Sequence, residues 1–364
     1  MTSRPPTYGF VRSPSKARRT LRAAVARFLF ATVTVALLTA PSECGSEPRP
    51  VERTVTGAPP SPLAAERVDA GAGRSPSAVN PHASPAKHVV IFVADTLRAD
   101  RVPPLADRRL RSPSLEAHAQ GAMVFERAYA ASNWTKPSVA TLMTGVLPQE
   151  HRALTHNARL EESYVLIGER LQEAGFYTAG VVTNGYVSKN FGFGSGWDRM
   201  LHSVETSRSR GDLVAADVAR VLRERPKDRP LFLYIHTTDV HAPYSPPRRD
   251  LAKYDARAYR GPIDFRRNRM LLQEIIDGII PLGLRDRDRL VALYDGGVTY
   301  HDRQFARIRQ ALERSGILGE ALVVFTSDHG EELFDHDSVS HGGYRLHEEL
   351  VRVPLLVSGP GIEP

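Results

Sequence analysis

Cysteine is almost missing from this chain. Cys44 is the only one among 364 residues, which excludes an intrachain disulfide and a cysteine-rich zinc site. It also precedes the part of the sequence that reads as folded, so no thiol nucleophile is expected. Aromatic residues are sparse, at 7%. No basic stretch carries the interleaved aromatics of a nucleic-acid groove, so nucleic acid is not an expected partner. The net charge of +7 misleads, because residues 1–22 hold six basic residues and no acidic one. Without that head the chain is nearly neutral. Long apolar runs are lacking as well: the greasiest stretch near the start, residues 28–40, is too short to span a bilayer comfortably. No internal repeat is found.

What is present falls into three parts. In residues 1–44, Arg18, Arg19 and Arg22 precede the apolar run, and small residues follow it. That order reads as an export signal or membrane anchor, with periplasmic or cell-surface placement. Cys44-Gly45 hints at a lipoprotein cysteine, against which Glu43 argues, and Arg18-Arg19 hints at twin-arginine export. Residues 45–87 are rich in Pro, Ala and Ser and cannot bury enough apolar surface to order themselves. They read as a tether, so that any membrane contact runs through the N-terminal segment.

From His88 onward, residues 88–364 read as a single catalytic domain. Residues 89–93 are continuously apolar, as in a strand covered on both faces. Similar runs recur at 178–182, 231–235, 322–325 and 353–357, with helical periodicity at 167–174, 213–225 and 290–314. Gly175 and Gly316 mark helix stops. The alternation predicts an α/β fold: a mostly parallel, doubly wound sheet with helices on both faces. Residues 245–289 read as an excursion from that sheet.

In such folds ligands collect at the carboxyl ends of strands. There the sequence places Asp95, Asp239 with His241, and Asp328-His329 followed by His336 and His341. Asp95, Asp328 and His329 form an O/O/N set suited to a divalent cation, whether Ca²⁺, Mn²⁺, Zn²⁺ or Mg²⁺. Residues 133–145 read as a loop that delivers the Thr135 hydroxyl and turns into a helix at Pro137. Thr135 would take a fourth position on the metal, which would make its hydroxyl reactive. It would then attack an anionic ester and form a covalent threonine ester. His241 and His341 are candidates for charge neutralisation or proton transfer. Asp239 could complete a second metal site with His241 and His341, and His336 is a further candidate for a second site or substrate contact. Lys136, Lys189 and Asn184 are second-rank candidates for substrate contact, and Trp134 reads as a packing residue.

The segments Val-Ala-Asp-Thr-Leu-Arg-Ala-Asp at 93–100, Trp-Thr-Lys-Pro-Ser at 134–138, His-Ala-Pro-Tyr at 241–244 and Phe-Thr-Ser-Asp-His-Gly-Glu-Glu at 325–332 occur in that order. With residues 346–360 they resemble the sulfatase family of the alkaline phosphatase superfamily. The resemblance implies Asp95, Asp328 and His329 as metal ligands and Thr135 at the nucleophile position. It also implies His241 as a substrate contact and His341 as the late histidine before glycine.

Three departures stand out. Sulfatases carry Cys or Ser, converted to formylglycine, where this chain has Thr135, which rules out formylglycine chemistry. The arginine four residues later is Val139, and the usual aspartate pair is Asp95-Thr96. Relatives also continue beyond the point where this sequence stops, at Pro364, which suggests a truncated C-terminal part. Threonine nucleophiles are typical of phosphodiesterases and of headgroup transferases within the superfamily. Hydrolysis of a phosphate or sulfate ester is therefore the leading expectation. Phosphoethanolamine- or glycerophosphate-type transfer onto cell-surface glycans or lipids is an alternative, and a degenerate anion-binding lipoprotein is another.

Overall fold

The strand that the apolar run predicts, β1 (His88–Ala94), lies at the centre of a seven-stranded sheet. The computed structural model describes residues 84–106, 110–202, 211–268 and 270–364. Residues 1–83, with the export signal, Cys44 and nearly all of the tether, lie outside the described residues. Among the described residues no helix is long and apolar enough to cross a membrane.

The other strands are β2 (Met123–Val124), β3 (Ala128–Tyr129), β4 (Tyr177–Val182), β5 (Arg199–His202), β6 (Leu231–Thr237) and β7 (Ala321–Thr326). They continue with β8 (Glu332–Leu333), β9 (Val339–Ser340), β10 (Arg352–Val353) and β11 (Leu355–Ser358). The main sheet runs β2-β11-β7-β1-β6-β4-β5. Its centre is parallel, and β11 and β2 join one edge antiparallel. The 353–357 run is two strands rather than one, because Pro354 has no N–H for a ladder and breaks it.

Alternation along β1 shows why both faces must be covered. Val89, Ile91 and Val93 pack on one side with Val139, Ala140 and Met143 of helix Thr135–Thr144 and with Leu171 of helix Ile167–Glu173. Val90 and Phe92 pack on the other side with helix Gly211–Glu224 and the 31-residue helix Leu284–Arg314. The first of these buries Val214, Val218, Val221 and Leu222, the i, i+4, i+7, i+8 stripe of an amphipathic helix. Phe92 is 1% exposed and stacks on Phe325 at 5.4 Å, with Phe305 edge-on at 5.3 Å. The long helix starts six residues before the predicted 290, at Leu284, where Asp286 bonds back to the Gly283 N–H at 2.9 Å. Gly175 (φ 87°) and Gly316 (φ 72°) take the left-handed conformation expected of helix stops.

In the excursion, Asp250 and Asp255 gather the nearby arginines. Asp255 pairs with Arg285 at 2.7 Å and Arg289 at 3.0 Å, and Asp250 with Arg303. These guanidinium groups are occupied in holding the segment to the long helix.

Candidate active site

Register brings the chemistry together. Val93 pairs with His236 on β6 and with Thr326 on β7. The residues that follow each strand therefore emerge side by side at the carboxyl edge. Ser327 ties two of these ends: its Oγ donates to Ala94 O at 2.5 Å and accepts from Leu97 N at 3.0 Å. Thr96, next to Asp95, sits at φ 63°, a costly conformation for a β-branched residue. Its carbonyl accepts from the Tyr294 hydroxyl of the long helix at 2.8 Å, and its N–H faces Asp328 Oδ1 at 3.4 Å.

Helix Thr135–Thr144 begins at Thr135 itself, two residues before the expected Pro137, with Trp134 extended ahead of it. Ser138 Oγ donates to the Asp328 carbonyl at 2.5 Å and anchors this first turn against the β7 end. Thr135 Oγ1 then lies 3.3 Å from His329 Nε2. Asn184, just after β4, donates to both Thr135 Oγ1 at 3.2 Å and Asp95 Oδ2 at 2.6 Å. Nearby, Val139 is fully buried in the core, so no cation stands at that position.

Asp95, His236 and Asp328 form a buried triad whose ligand atoms lie within 4.8 Å of one another. His236 Nε2 is 3.4 Å from Asp95 Oδ2 and 3.7 Å from Asp328 Oδ2. His329 Nε2 joins them, 3.5 Å from Asp95 Oδ1 and 3.6 Å from Asp328 Oδ2. Each imidazole is held through its other nitrogen: His236 Nδ1 by the Tyr234 hydroxyl at 3.0 Å, and His329 Nδ1 by donation to Gly330 O at 2.9 Å. Such anchoring is what orients imidazole metal ligands. Asp95 Oδ1, Asp328 Oδ2 and His236 Nε2 are buried without a hydrogen-bond partner. Buried polar atoms are seldom left this way, and a divalent cation satisfies all three at once.

Electrostatics agree. Burial, then the charge of Asp95, raise Asp328 to about 7. Burial alone would raise Asp95 too, but His241, His236 and His329 outweigh it and hold that carboxyl well below the usual range. Burial, then the charge of His341, push His329 well down, so its Nε2 presents a lone pair. His341 moves the other way: burial lowers it, but Glu331, bonded to its Nδ1 at 3.0 Å, prevails and raises it above the ordinary imidazole range.

The cluster lies beneath a cleft of about 1030 Å³, lined among others by Thr135, Asn184, His241, His341, Trp134 and Tyr186. His341 bridges the other two histidines, with its ring centroid 5.0 Å from that of His241 and 4.4 Å from that of His329. Asp95, Thr135, His241, Asp328, His329 and His341, all expected at the site from the sequence, come together at this edge of the sheet. His236, which closes an apolar run directly beside Asp95, is not singled out by the sequence, and Asn184, a second-rank candidate there, lies within hydrogen-bond reach of both Asp95 and Thr135. Trp134, expected to pack, contacts His156 and Tyr186 and also faces the cleft.

Four second-rank candidates stand elsewhere. Lys136 is fully buried and caps the carbonyls of Thr155, His156 and Ala158 at 2.6–2.8 Å, so it cannot reach an ester. Asp239 accepts from Gly211 N at 2.9 Å and lies 3.4 Å from His301 Nδ1, so it forms no site with His241 and His341. Lys189 is exposed, outside the cleft lining. His336 pairs with Glu349 at 2.6 Å, also outside the lining.

Comparison with known proteins follows the same outline. The chain is 22% identical over 339 residues to the choline-sulfatase of Rhizobium meliloti (strain 1021), covering 76% of this chain and 63% of that protein. It is 26% identical over 286 residues to the low-salt glycan biosynthesis sulfotransferase Agl7 of Haloferax volcanii, covering 76% and 55%. The chain therefore spans less than two thirds of the length of these two curated relatives. The fold matches the crystal structure of the phosphonate monoester hydrolase of Agrobacterium radiobacter with a TM-score of 0.62 at 20% identity, covering 75% and 68% of the two chains. A family model described as Sulfatase matches residues 87–364. The chain belongs to the sulfatase family, within the alkaline phosphatase superfamily.

Proposed function

We propose that this protein is an exported, metal-dependent hydrolase of phosphate or sulfate esters that works through Thr135. The observation that carries the reading is the convergence of orphaned atoms from Asp95, Asp328 and His236 beside the Thr135 hydroxyl. Asp95, Asp328, His329 and His236 would hold a divalent cation, which when bound supplies positive charge for the ester oxygens and acidifies a hydroxyl next to it.

This chain's own residues account for the remaining steps. Asn184, donating to Thr135 Oγ1, aims that oxygen at the cleft. Thr135 Oγ1 attacks phosphorus or sulfur while the bond to the leaving oxygen breaks, its proton released to solvent in the cleft because the surrounding imidazoles and carboxylates would be holding the cation. His341, whose bond to Glu331 favours the protonated form, gives a proton to that leaving oxygen. His241 faces the same cleft and neutralises developing charge. Water then cleaves the threonine ester. A phosphorus centre fits best: a threonine cannot become formylglycine, and Val139 offers no cation where sulfatases have arginine.

A second reading, transfer of the bound group to an acceptor hydroxyl, draws support from the similarity to a protein named a sulfotransferase. Parallel assays on an aryl phosphate, a phosphodiester and an aryl sulfate, with and without a glycan or lipid acceptor, separate the two. Hydrolysis expects release of the free acid without acceptor. Transfer expects product only with acceptor. No turnover of any ester by the metal-loaded protein, with Thr135→Ala indistinguishable, would leave an anion binder.

A further inference from the structure

A second cluster of ligand-type side chains sits on the flank of residues 327–331, the catalytic loop that follows β7 and carries Asp328 and His329. His336, His347 and Glu349 place their ligand atoms within 4.8 Å of one another. The imidazoles of His336 and His347 are stacked, with centroids 3.7 Å apart and planes at 21°. His336 Nδ1 lies 2.6 Å from Glu349 Oε1 and 3.6 Å from Glu332 Oε1.

Glu332 supplies the independent observation. Its side chain is fully buried, and Oε1, 3.6 Å from His336 Nδ1, has no hydrogen-bond partner. Arg345 stands 2.5 Å from the other oxygen, Oε2, which leaves Oε1 for something else. Two imidazoles and a carboxylate, half open to solvent with a second carboxylate behind, match the donor set of Zn²⁺.

We propose that His336, His347 and Glu349, backed by Glu332 Oε1, form a second divalent-cation site of the zinc class, separate from the buried cluster at Thr135. An ion there would draw the stacked rings into an edge-on arrangement around itself. It would also clamp the β8–β9 hairpin to the short helix Glu348–Val351. Those two pieces back the catalytic loop: Gly330 N donates to Leu350 O at 2.7 Å and Glu331 N to Glu349 O at 3.0 Å. The site would therefore fix the segment that carries His341.

The test uses the full chain, stripped with a chelator and titrated with Zn²⁺ alone. Two ions per chain are expected for the parent and one for Asp95→Asn/Asp328→Asn. Adding His336→Ala/His347→Ala to that variant should weaken the remaining binding by ~100-fold or more, the loss expected when imidazole ligands go. The proposal is overturned if Asp95→Asn/Asp328→Asn takes up no Zn²⁺, or if losing both histidines leaves its affinity unchanged. Should the alanine pair not fold by near-ultraviolet circular dichroism, Co²⁺ bound to Asp95→Asn/Asp328→Asn decides. Intense visible bands of a low-coordinate ion support the site, and the weak bands of hydrated Co²⁺ overturn it.

Discussion

Metal uptake by the buried cluster should expel protons, and the structure gives the sign and the scale. Burial and the neighbouring Asp95 charge hold Asp328 at about 7. Burial would lower His236, but the Asp95 and Asp328 carboxylates beside its Nε2 raise it. A cation binds only the deprotonated forms, so every proton that must leave weakens binding tenfold, ~1.4 kcal/mol, per pH unit below the group's pKa. With Asp328 alone the logarithm of the dissociation constant rises by about one for each pH unit lost, and with His236 also charged it approaches two. Metal-free stability runs the opposite way. Asp328 is raised above its unfolded value of 3.8, so its contribution is complete below that value and is lost as pH rises toward about 7. Added Mn²⁺ or Zn²⁺ should therefore raise the melting temperature little at about pH 5.5 and strongly at about pH 8. Calorimetric titration in two buffers of different ionisation heat measures both the affinity slope and the protons released. An affinity that stays flat from about pH 5.5 to about pH 7, without proton release, would refute the reasoning.

Other outcomes follow from the same geometry. Thr135→Ala should lower kcat by roughly 10³-fold or more while leaving metal stoichiometry intact, and Thr135→Ser should keep most of the turnover, as steady-state kinetics on an aryl ester would check. His341→Gln should cost roughly 10²–10⁴-fold on esters with poor leaving groups and much less on nitrophenyl esters, which need no proton. A leaving-group series decides this, and an equal loss across it would remove His341 as the acid. Gly330→Ala should lower stability by about 1–3 kcal/mol, because the new Cβ would lie 1.9 Å from the Glu349 carbonyl. Thermal unfolding reads it, and an unchanged midpoint would contradict the close packing of that loop.

The legible part of this protein was what runs along the chain. Residues 89–93, 231–235 and 322–325 announce buried strands by composition, and Asp95 and Asp328-His329 follow directly from those strands. Relations across the chain were harder to read. His236 becomes a candidate ligand only when β6 is registered against β1, and nothing in a single strand states that register. Asn184 reads as a loop residue until β4 is placed next to β6, where its amide bridges Asp95 and Thr135. Lys136 misleads for the converse reason. It adjoins Thr135 in sequence, but its side chain folds away onto three loop carbonyls beneath Phe191, whose ring centroid is 4.0 Å from Nζ. Asp239 and His241 are two residues apart, yet one turns to Gly211 and His301 and the other to the cleft.

The central claim is that one threonine oxygen, set among two carboxylates and two imidazoles, takes the group from the ester. The most direct measurement is acid quenching of the metal-loaded enzyme during turnover, followed by mass spectrometry of the peptide that carries Thr135. A phosphoryl- or sulfuryl-sized increment on Thr135 is expected, present with substrate and absent from Thr135→Ala. An increment on another residue, or full turnover by Thr135→Ala, would contradict the claim.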